Sequence, residues 1–348
     1  MTAEILSTHT PALFAAAVKR AAELLRAGDV VALPTETVYG LAANALDAKA
    51  VAKIFQIKGR PANNPVIVHV ASLSMAKGCA SDWPGSADKL ARAFWPGPLT
   101  LVMPRAEKIP GIVAAGGATV GVRWPGHPFI QAVIRECGFP LAAPSANLSS
   151  RISPTNAGHV RKQLGGRIPL IVDGGQSQVG IESTVLDLSV SPPRILRPGM
   201  IHVESLAAVA GEVTSETWRV TSKDPLRSPG LLVKHYSPKA KLVVLSWRDD
   251  VDLRSQLSTF NPVKGRGPHG ALRPQPSTCF VIAHTHIPSG EHFARLSVIP
   301  HDAEAFARAI YAELHGCDEA GAEWIIVEAP PELPEWSGIA DRLKRAAA

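Results

Sequence analysis

The sequence predicts a mixed α/β fold built on a twisted, mixed sheet, followed by a second and smaller α/β unit. Short apolar, β-branched runs alternate with amphipathic helical patterns up to about residue 212. The alternation resumes at residue 241, after a stretch rich in Ser, Thr, Pro and Gly. A chain of 348 residues is also longer than the chain that usually folds around a single hydrophobic core. We therefore expect a first domain over residues 1–212, a linker over 213–240 and a second domain over 241–348.

The elements of the first domain follow from apolar spacing and from residues that begin or end helices. Pro11 suits the first turn of a helix over residues 11–27, and Gly28 suits its end. Asp47 is a candidate cap for a helix over residues 48–56. Apolar runs predict strands at residues 30–33, 66–70, 99–103, 119–123, 141–143, 170–172, 184–188 and 195–196, with helices around 129–136 and 156–164 between them.

The second domain shows the same pattern in a shorter form. Its apolar runs predict strands at residues 241–245, 279–283 and 324–328, and its helical patterns lie at 303–314 and 339–347. A stretch rich in Gly, Pro and Arg, residues 261–276, is typical of a surface insert or a mobile loop.

Composition excludes several classes of protein. The chain is 46% hydrophobic and 19% charged, and it has no run of about 18 apolar residues, so no transmembrane span is expected. The N-terminus lacks the basic and apolar regions of a secretory signal. The four cysteines lie far apart without a Cys-x-x-Cys pair, which argues against a zinc site or a disulfide framework. We expect a cytoplasmic protein with reduced thiols and no membrane contact.

A polar turn and a basic loop follow the first buried strand. The run PTETVYGL at residues 34–41 brings hydroxyls, a carboxylate and a glycine, and KGRPANNP at 58–65 brings cations and amides. Lys58 and Arg60 suit a polyphosphate, although a short basic turn is also common on surfaces. The net charge of +6 likewise fits either attraction to phosphates or an ordinary surface excess. The chain contains neither GxxxxGK[ST] nor GxGxxG, which disfavours kinases and dehydrogenases.

Other candidate side chains stand where predicted strands end. AAPSANLS at residues 142–149 and GIESTV at 180–185 place hydroxyls and an amide at turns, where they suit phosphate and ribose oxygens. Arg123 and Arg197 each end an apolar strand. For Arg123, a substrate carboxylate and a structural ion pair are both open as the partner. The chain has no GxSxG elbow, so a nucleophilic serine is not expected. Such strand ends favour one ligand crevice at a sheet edge.

The linker contains one further candidate. The run SPGLLVKHYSP at residues 228–238 places an aromatic ring and two basic side chains between prolines. Such a segment can lie over a nucleotide as a clamp, or it can serve as an extended tether.

Taken in order, these motifs resemble the threonylcarbamoyl-AMP synthase family, built on the YrdC-type domain, in its long two-domain form. The resemblance rests on PTETVYGL, KGRP, WPGPLT at residues 95–100, APSAN, STV and LRPG, and it is dense over residues 15–205. It continues through the SPG and HYSP parts of the linker and, more loosely, to residues 341–343. It implies a YrdC-type twisted, mixed, open sheet with flanking helices. It also implies a smaller Rossmann-like C-terminal domain that acts through the linker.

The resemblance implies an enzyme activity as well. Enzymes of this family are nucleotidyltransferases that condense L-threonine, bicarbonate or CO2, and ATP into threonylcarbamoyl-AMP and pyrophosphate, with Mg²⁺ accompanying ATP. A separate transferase complex then places the threonylcarbamoyl group on the adenosine beside the anticodon of tRNAs that read codons beginning with A. A weak direct contact with tRNA is compatible with that role. No dedicated metal site is expected, because phosphates and water can supply most ligands of Mg²⁺.

Carried over to this sequence, the resemblance implies a role for each matching residue. Lys58 and Arg60 are the expected catalytic cations. The expected threonine contacts, with Arg123 on the carboxylate, are Thr37, His69, Thr119, Arg123, Ala143 and Ser183. The expected ATP contacts are Lys58, Arg60, Asn64, Ser145, Asn147, Ser153, Arg197 and Tyr236.

The sequence departs from the family pattern at three places. Ser150-Arg151-Ile152 replaces the usual GRP before Ser153, so the turn there is expected to differ. The linker reads LLVK at residues 231–234 where the family usually has MKYR, and the lost aromatic and the Arg-to-Lys change leave the strength of the clamp open, though not its presence. Ala340 stands where the family commonly has Asn.

Two other functions stay open from the sequence. An RNA-binding module without catalysis fits the net charge, although aromatic residues make up only 5% and no RNA motif is evident. A carbamoyl-adenylate enzyme of hydrogenase maturation would share the YrdC-type domain. Such proteins usually carry zinc-finger and acylphosphatase-like segments, and this chain lacks the cysteines for the former.

Overall fold

The first domain is built on a ten-stranded sheet that mixes parallel and antiparallel neighbours, as the sequence predicts. The computed structural model describes residues 2–215, 228–230, 234–259 and 276–348. The sheet order is β1-β8-β2-β3-β7-β4-β6-β5-β9-β10. In chain order the strands are β1 (Glu4–Ser7), β2 (Val31–Leu33), β3 (Gly40–Asn44), β4 (Val68–His69), β5 (Leu99–Pro104), β6 (Thr119–Arg123), β7 (Leu141–Ala142), β8 (Leu170–Asp173), β9 (Thr184–Asp187) and β10 (Arg194–Arg197).

Helices cover both faces of this sheet. They are α1 (Pro11–Arg26), α2 (Ala48–Lys58), α3 (Leu73–Lys77), α4 (Gly85–Phe94), α5 (Pro128–Cys137), α6 (Ala157–Leu164) and α7 (Val203–Ala210). Strand β2 shows why both faces need a cover, since successive side chains of a strand point to opposite sides. Val31 and Leu33 pack in the core that contains α1 and α5, whereas Ala32 packs in the core that contains α2 and α4.

Local signals place the helix ends as predicted. The Thr10 hydroxyl accepts a hydrogen bond from the Leu13 amide at 3.2 Å, and the Asp47 carboxylate accepts from the amides at the start of α2. Helix α2 runs two residues further than expected and ends at Gly59, whose φ of 59° suits glycine. Arg60 therefore leaves the helix at once and enters the polar loop.

The second domain is a four-stranded, all-parallel sheet in the order β11-β14-β12-β13. This arrangement, with helices between the strands, is the predicted Rossmann-like unit. Strand β13 and helix α8 were not expected from the sequence, and α9 extends five residues beyond the predicted helix. The elements are β11 (Lys241–Leu245), α8 (Asp250–Thr259), β12 (Cys279–Ala283), β13 (Arg295–Val298), α9 (Ala303–Glu319), β14 (Trp324–Glu328) and α10 (Ser337–Ala346).

Several other expectations are corrected or lie outside the described residues. The predicted strand at 66–70 shrinks to β4, because the Val66 amide bonds to the Val113 carbonyl instead of a neighbouring strand. Strand β3 was missed, since its sequence GLAAN has no β-branched residue and its pairing with β2 imposes the extended form. The predicted loop at 261–276, apart from residue 276, and the centre of the predicted linker lie outside the described residues.

Helices α9 and α10 of the second domain lie directly against the first domain. Gly180, with φ of 86°, approaches α9 so closely that an added Cβ would stand 2.2 Å from the Ala307 carbonyl oxygen. Ile181 shares an apolar cluster with Phe306 and Tyr311 of α9. The loop before β9 is thus held by both domains. Within the described ranges, the helices are too short or too polar to span a bilayer.

Candidate active site

Six strands of the first domain reach one crevice with their ends. Gly40 begins β3, His69 ends β4, Arg123 ends β6, and Arg197 ends β10. Ala143 directly follows β7, and Ser183 directly precedes β9. The crevice that the sequence predicted from strand ends is present, lined by Thr35, Thr37, Val38, Gly40, Arg60, Ile67, His69, Arg123, Ala143, Pro144, Ser145, Glu182, Ser183, Arg197, Pro229, Gly230, His235 and Tyr236.

The expected site residues divide into two groups. Those that line the crevice are Thr37, Arg60, His69, Arg123, Ala143, Ser145, Ser183, Arg197 and Tyr236. Those that do not line it are of two kinds. Four are buried behind its walls, namely Lys58, Asn64, Asn147 and Ser153. Thr119 lies at the far end of β6, where it pairs with Pro104. Which of these side chains touch a substrate stays a prediction.

Arg123 lies at the centre of the expected threonine pocket. Its Nη2 stands 2.7 Å from Glu36 Oε1, its Nη1 donates to the Thr37 hydroxyl at 2.9 Å, and its Nε donates to the Gly97 carbonyl. Burial raises the pKa of the Glu36 carboxyl, but the Arg123 guanidinium outweighs it and holds the pKa below its usual value. The structural ion pair, one of the two partners considered for Arg123, is therefore present.

His69 adds a neutral ring to this pocket. Burial, reinforced by the nearby Arg123 charge, lowers the pKa of His69 to about 3. The imidazole is therefore uncharged near neutral pH, and it can accept as well as donate a hydrogen bond.

Lys58 braces the loop that carries Ser145. Its buried ammonium group donates to the Ser145 carbonyl at 2.5 Å, to the Asn147 carbonyl at 2.6 Å and to Asn147 Oδ1 at 2.9 Å. Each of the three N–H groups of the Lys58 ammonium thus has an acceptor. The Asn147 side-chain amide in turn donates to the Arg151 carbonyl. Burial and the charge of Arg60 lower the pKa of Lys58 well below its usual value. In this structure Lys58 and Asn147 shape the wall behind Ser145.

Arg60 closes the basic loop on itself. Its Nε donates to the Asn64 carbonyl at 2.9 Å, and its Nη2 donates to Asn64 Oδ1 at 2.7 Å and to the Pro65 carbonyl. Burial lowers the pKa of Arg60 to about 9, so the guanidinium is still charged near neutral pH. Asn64 positions this cation, and its Nδ2 has no hydrogen-bond partner among the described residues.

Arg197 joins the pocket to the linker. Its Nε and Nη2 donate to the Ser183 carbonyl at 3.1 and 3.0 Å, and its Nη1 donates to the Pro229 carbonyl at 3.3 Å. The Ser183 hydroxyl lies 2.8 Å from the Thr100 hydroxyl and accepts from Arg197 Nη2 at 3.2 Å. Ser183 is therefore oriented on two sides.

The described part of the linker lies over the crevice, as the clamp interpretation requires. Tyr236 is 1% exposed and takes a φ of 61°, which is rare outside glycine. Gly230, with φ of 84°, stands so close that an added Cβ would lie 2.4 Å from the Tyr236 hydroxyl. The Nδ1 atom of His235 also faces this region without a partner among the described residues. Of the unusual LLVK run, only Lys234 is described.

Glu182 is the functional candidate that sequence reasoning did not single out. Its Oε1 accepts from the Ser153 hydroxyl at 2.5 Å, and its Oε2 accepts from Tyr311 and Arg342 of the second domain. Burial raises the pKa of Glu182, but Arg342 and Arg197 outweigh it and lower the pKa to about 2. Its motif GIESTV was noted, but nothing local showed that its partners lie on α9 and α10.

A second polar cluster lies at the carboxyl edge of the parallel sheet in the second domain, where such folds bind ligands. Here the Glu328 carboxylate accepts from the backbone amides of His284, Thr285 and His286 at 2.7, 2.9 and 3.0 Å. The chain's own carboxylate thus fills the amide cradle that an anionic ligand would use.

The fold and crevice define a class: a YrdC-type α/β domain joined by a covering linker to a Rossmann-like domain. A family model for Sua5, YciO and YrdC proteins, described as "Telomere recombination", matches residues 23–199. A second, described as "Threonylcarbamoyl-AMP synthase, C-terminal domain", matches residues 201–348. The chain belongs to the threonylcarbamoyl-AMP synthase family, in its two-domain form.

Relatives of full length support this assignment. The threonylcarbamoyl-AMP synthase of Pyrococcus abyssi is 38% identical over 94% of this chain and 93% of its own length. That of Bacillus subtilis is 39% identical over 98% of this chain and 94% of its own length. The crystal structure of P. abyssi Sua5 complexed with L-threonine matches with a TM-score of 0.86 and 36% identity, covering 100% of this chain and 98% of that one.

Proposed function

We propose that this protein is an L-threonylcarbamoyladenylate synthase, which condenses L-threonine, bicarbonate or CO2, and ATP to threonylcarbamoyl-AMP and pyrophosphate. The observation that carries the proposal is one crevice lined by three arginines, Arg60, Arg123 and Arg197, together with the hydroxyl-bearing Thr37, Ser145 and Ser183. A full-length relative of TM-score 0.86 binds L-threonine, and relatives of this length bear the synthase name. The crevice offers separate polar groups for an amino acid and for phosphates.

On the threonine side, the residues orient and shelter the amino acid. Arg123 keeps a fixed position through Glu36 and Thr37, and its charge suits the substrate carboxylate. Neutral His69 and the Ser183 hydroxyl suit the remaining polar groups. The threonine amine attacks carbon dioxide and loses a proton, or attacks bicarbonate with loss of one water molecule, and either route gives a carbamate that is short-lived in water. The buried pocket keeps it beside ATP.

On the nucleotide side, the chemistry is a displacement at phosphorus. A carbamate oxygen bonds to the α-phosphorus, and the bond to the β-phosphate oxygen breaks, releasing pyrophosphate. Arg60 and Arg197, which line the crevice, would balance the charge on the phosphates, and Lys58, which bonds the Ser145 carbonyl, would keep the Ser145 loop in position beside them. Tyr236 covers the site and limits water. No covalent enzyme intermediate is needed.

Mg²⁺ is proposed to enter with ATP. Glu182, which lines the crevice, and Glu36, which lies behind Arg123, are each paired with an arginine. Within the described ranges, His, Cys, Asp and Glu side chains form no group of three that could hold a metal ion. The phosphates and water would thus supply most ligands, as is usual for Mg²⁺.

The product is proposed to serve tRNA modification in the cytoplasm. A separate transferase complex would move the threonylcarbamoyl group to tRNAs that read codons beginning with A, and direct tRNA contact by this chain would be weak. The four cysteines are free and buried, which fits a reducing compartment.

The deciding experiment is pyrophosphate release by the purified protein with ATP and Mg²⁺. We expect release to require both L-threonine and bicarbonate, with L-serine a much poorer substrate. ATP cleavage at the same rate with and without L-threonine would contradict the proposed synthase activity. No turnover together with strongly salt-dependent tRNA binding would favour an RNA-binding module instead.

A further inference from the structure

We infer that Arg342, on α10 of the second domain, is a positioning residue of the active site. It holds Glu182, and through Glu182 it fixes Ser153 and Ser183 and steers Arg197. This inference rests on the proposed function, because it assigns the second domain a direct part in that site. It goes beyond an effect transmitted through the linker alone.

Arg342 reaches across the domain boundary and is almost fully enclosed. Its side chain is 1% exposed, its Nε donates to Glu182 Oε2 at 2.7 Å, and its Nη2 donates to the Glu182 carbonyl at 3.1 Å. Its Nη1 donates to the Pro198 carbonyl and to Asp341, both at 2.9 Å. The Arg342 guanidinium thus binds the side chain and backbone of Glu182, the residue before Ser183. It also binds the backbone of Pro198, the residue after Arg197.

Glu182 passes this constraint to both sides of the crevice. Its Oε1 accepts from the hydroxyl of Ser153, an expected nucleotide contact, and its Oε2 also accepts from the Tyr311 hydroxyl at 3.1 Å. The next residue is Ser183, an expected threonine contact. Fixing the Glu182 carboxylate therefore fixes the Ser153 hydroxyl and constrains the backbone that carries Ser183.

The charge balance gives Arg342 a second effect. Glu182 is attracted to two buried guanidinium groups, those of Arg342 and Arg197. Arg342 makes the direct ion pair, which leaves Arg197 on the Ser183 carbonyl and facing the crevice. Without Arg342, the uncompensated Glu182 carboxylate would draw Arg197 away from a phosphate.

The same guanidinium also supports the linker clamp. It lies 5.4 Å from the ring centroid of Tyr236, within the range of a cation–π contact, and the Tyr236 and Tyr311 rings are 6.0 Å apart. Two side chains of the second domain, Arg342 and Tyr311, therefore each contact both Glu182 and Tyr236. A residue that merely joined the domains would not need contacts to both a pocket carboxylate and the clamp.

The test compares full-length Arg342→Lys and Tyr311→Phe with a matched control, Arg308→Gln. Arg308 also makes a guanidinium-to-carbonyl bond between the domains, at 2.8 Å, but this bond is on the exposed surface and goes to Gln178 instead of Glu182. Arg342→Lys keeps the charge but cannot reproduce the forked contacts. Tyr311→Phe removes one hydroxyl. KM for threonine, KM for ATP, kcat and the melting temperature are measured for each.

We expect Arg342→Lys to raise both KM values about tenfold at an assay temperature where it stays folded, and Tyr311→Phe to raise KM for threonine a few-fold. Arg308→Gln should stay within about twofold of the unmodified protein. If Arg342→Lys does not fold, Tyr311→Phe decides. Unchanged KM values in the folded variants, or an equal loss in Arg308→Gln, would overturn the inference. An unmodified protein without threonine-dependent turnover would instead reject the proposed function.

Discussion

Arg123 lines the crevice and forms a buried ion pair with Glu36, with Arg123 Nη2 2.7 Å from Glu36 Oε1. The side chains are 4% and 12% exposed, so neither charge has water as a ready substitute. Arg123 therefore has a structural role alongside its proposed contact with the threonine carboxylate. Substitutions here must separate the two roles.

Arg123→Ala is expected to abolish threonine-dependent pyrophosphate release and to lower the free energy of unfolding by about 3–5 kcal/mol, because it strands the Glu36 carboxylate. The double variant Glu36→Gln with Arg123→Met should regain most of that stability and none of the activity. Urea unfolding and pyrophosphate release measure the two effects. Activity returning with stability would show that Arg123 serves the fold alone.

Arg60→Ala is expected to lower kcat/KM by about 10²–10³-fold, since it removes a buried cation from the phosphate side of the crevice. Lys49→Ala, on the exposed start of α2, removes one positive charge at the opposite end of the same helix and serves as the control. Steady-state pyrophosphate release compares them. Similar losses in both variants would mean that overall charge, not the position of Arg60, governs the rate.

Gly230→Ala is expected to raise KM for ATP about tenfold, because the new Cβ would lie 2.4 Å from the Tyr236 hydroxyl and push the clamp aside. Gly211→Ala is a matched control, since Gly211 has a similar φ of 85° and its Cβ would meet no described atom within 4 Å. Both substitutions place an alanine at a positive φ, so the comparison separates backbone strain from displacement of Tyr236. An unchanged KM for ATP in Gly230→Ala would mean that ATP binding does not depend on the present position of Tyr236.

Stability is expected to fall as the pH drops below about 6.5. Burial lowers the pKa of His69, His159 and His235 to about 3, so these rings stay neutral in the folded protein while the unfolded chain binds protons. Their stabilisation is present above the unfolded pKa of 6.5 and is lost as the pH falls toward 3. Below about 4.5, protonation of Glu36 and Glu182 in the unfolded chain adds to the loss.

Urea midpoints between about pH 7.5 and pH 5 test this dependence. His159→Asn should flatten it, because an amide can accept from Thr155 without binding a proton. A midpoint that stays constant over this range in the unmodified protein would contradict the expected neutral histidines.

The fold of the first domain was largely predictable, because its signals are local. Asp47 caps α2 from the position directly before the helix. Gly59 ends the helix because its φ of 59° lies in the left-handed region. Strand β6 has the predicted bounds, since its apolar run is framed by a turn on each side. Strand β3 and the half-exposed β13 were missed, because pairing with neighbours holds them extended and their composition does not.

The sequence by itself determined which residues gather at strand ends, and so the crevice and its polar groups. Short-range chemistry decides this, since a strand, its turn and the first polar residue are contiguous in the chain. Only the tertiary structure decided that Lys58 braces the Ser145 loop and that Arg342 pairs with Glu182, 160 residues away. Arg342 has the spacing of the buried face of α10, but an arginine on such a face can also extend its charged group to water, and only the distant partner Glu182 shows that it does not.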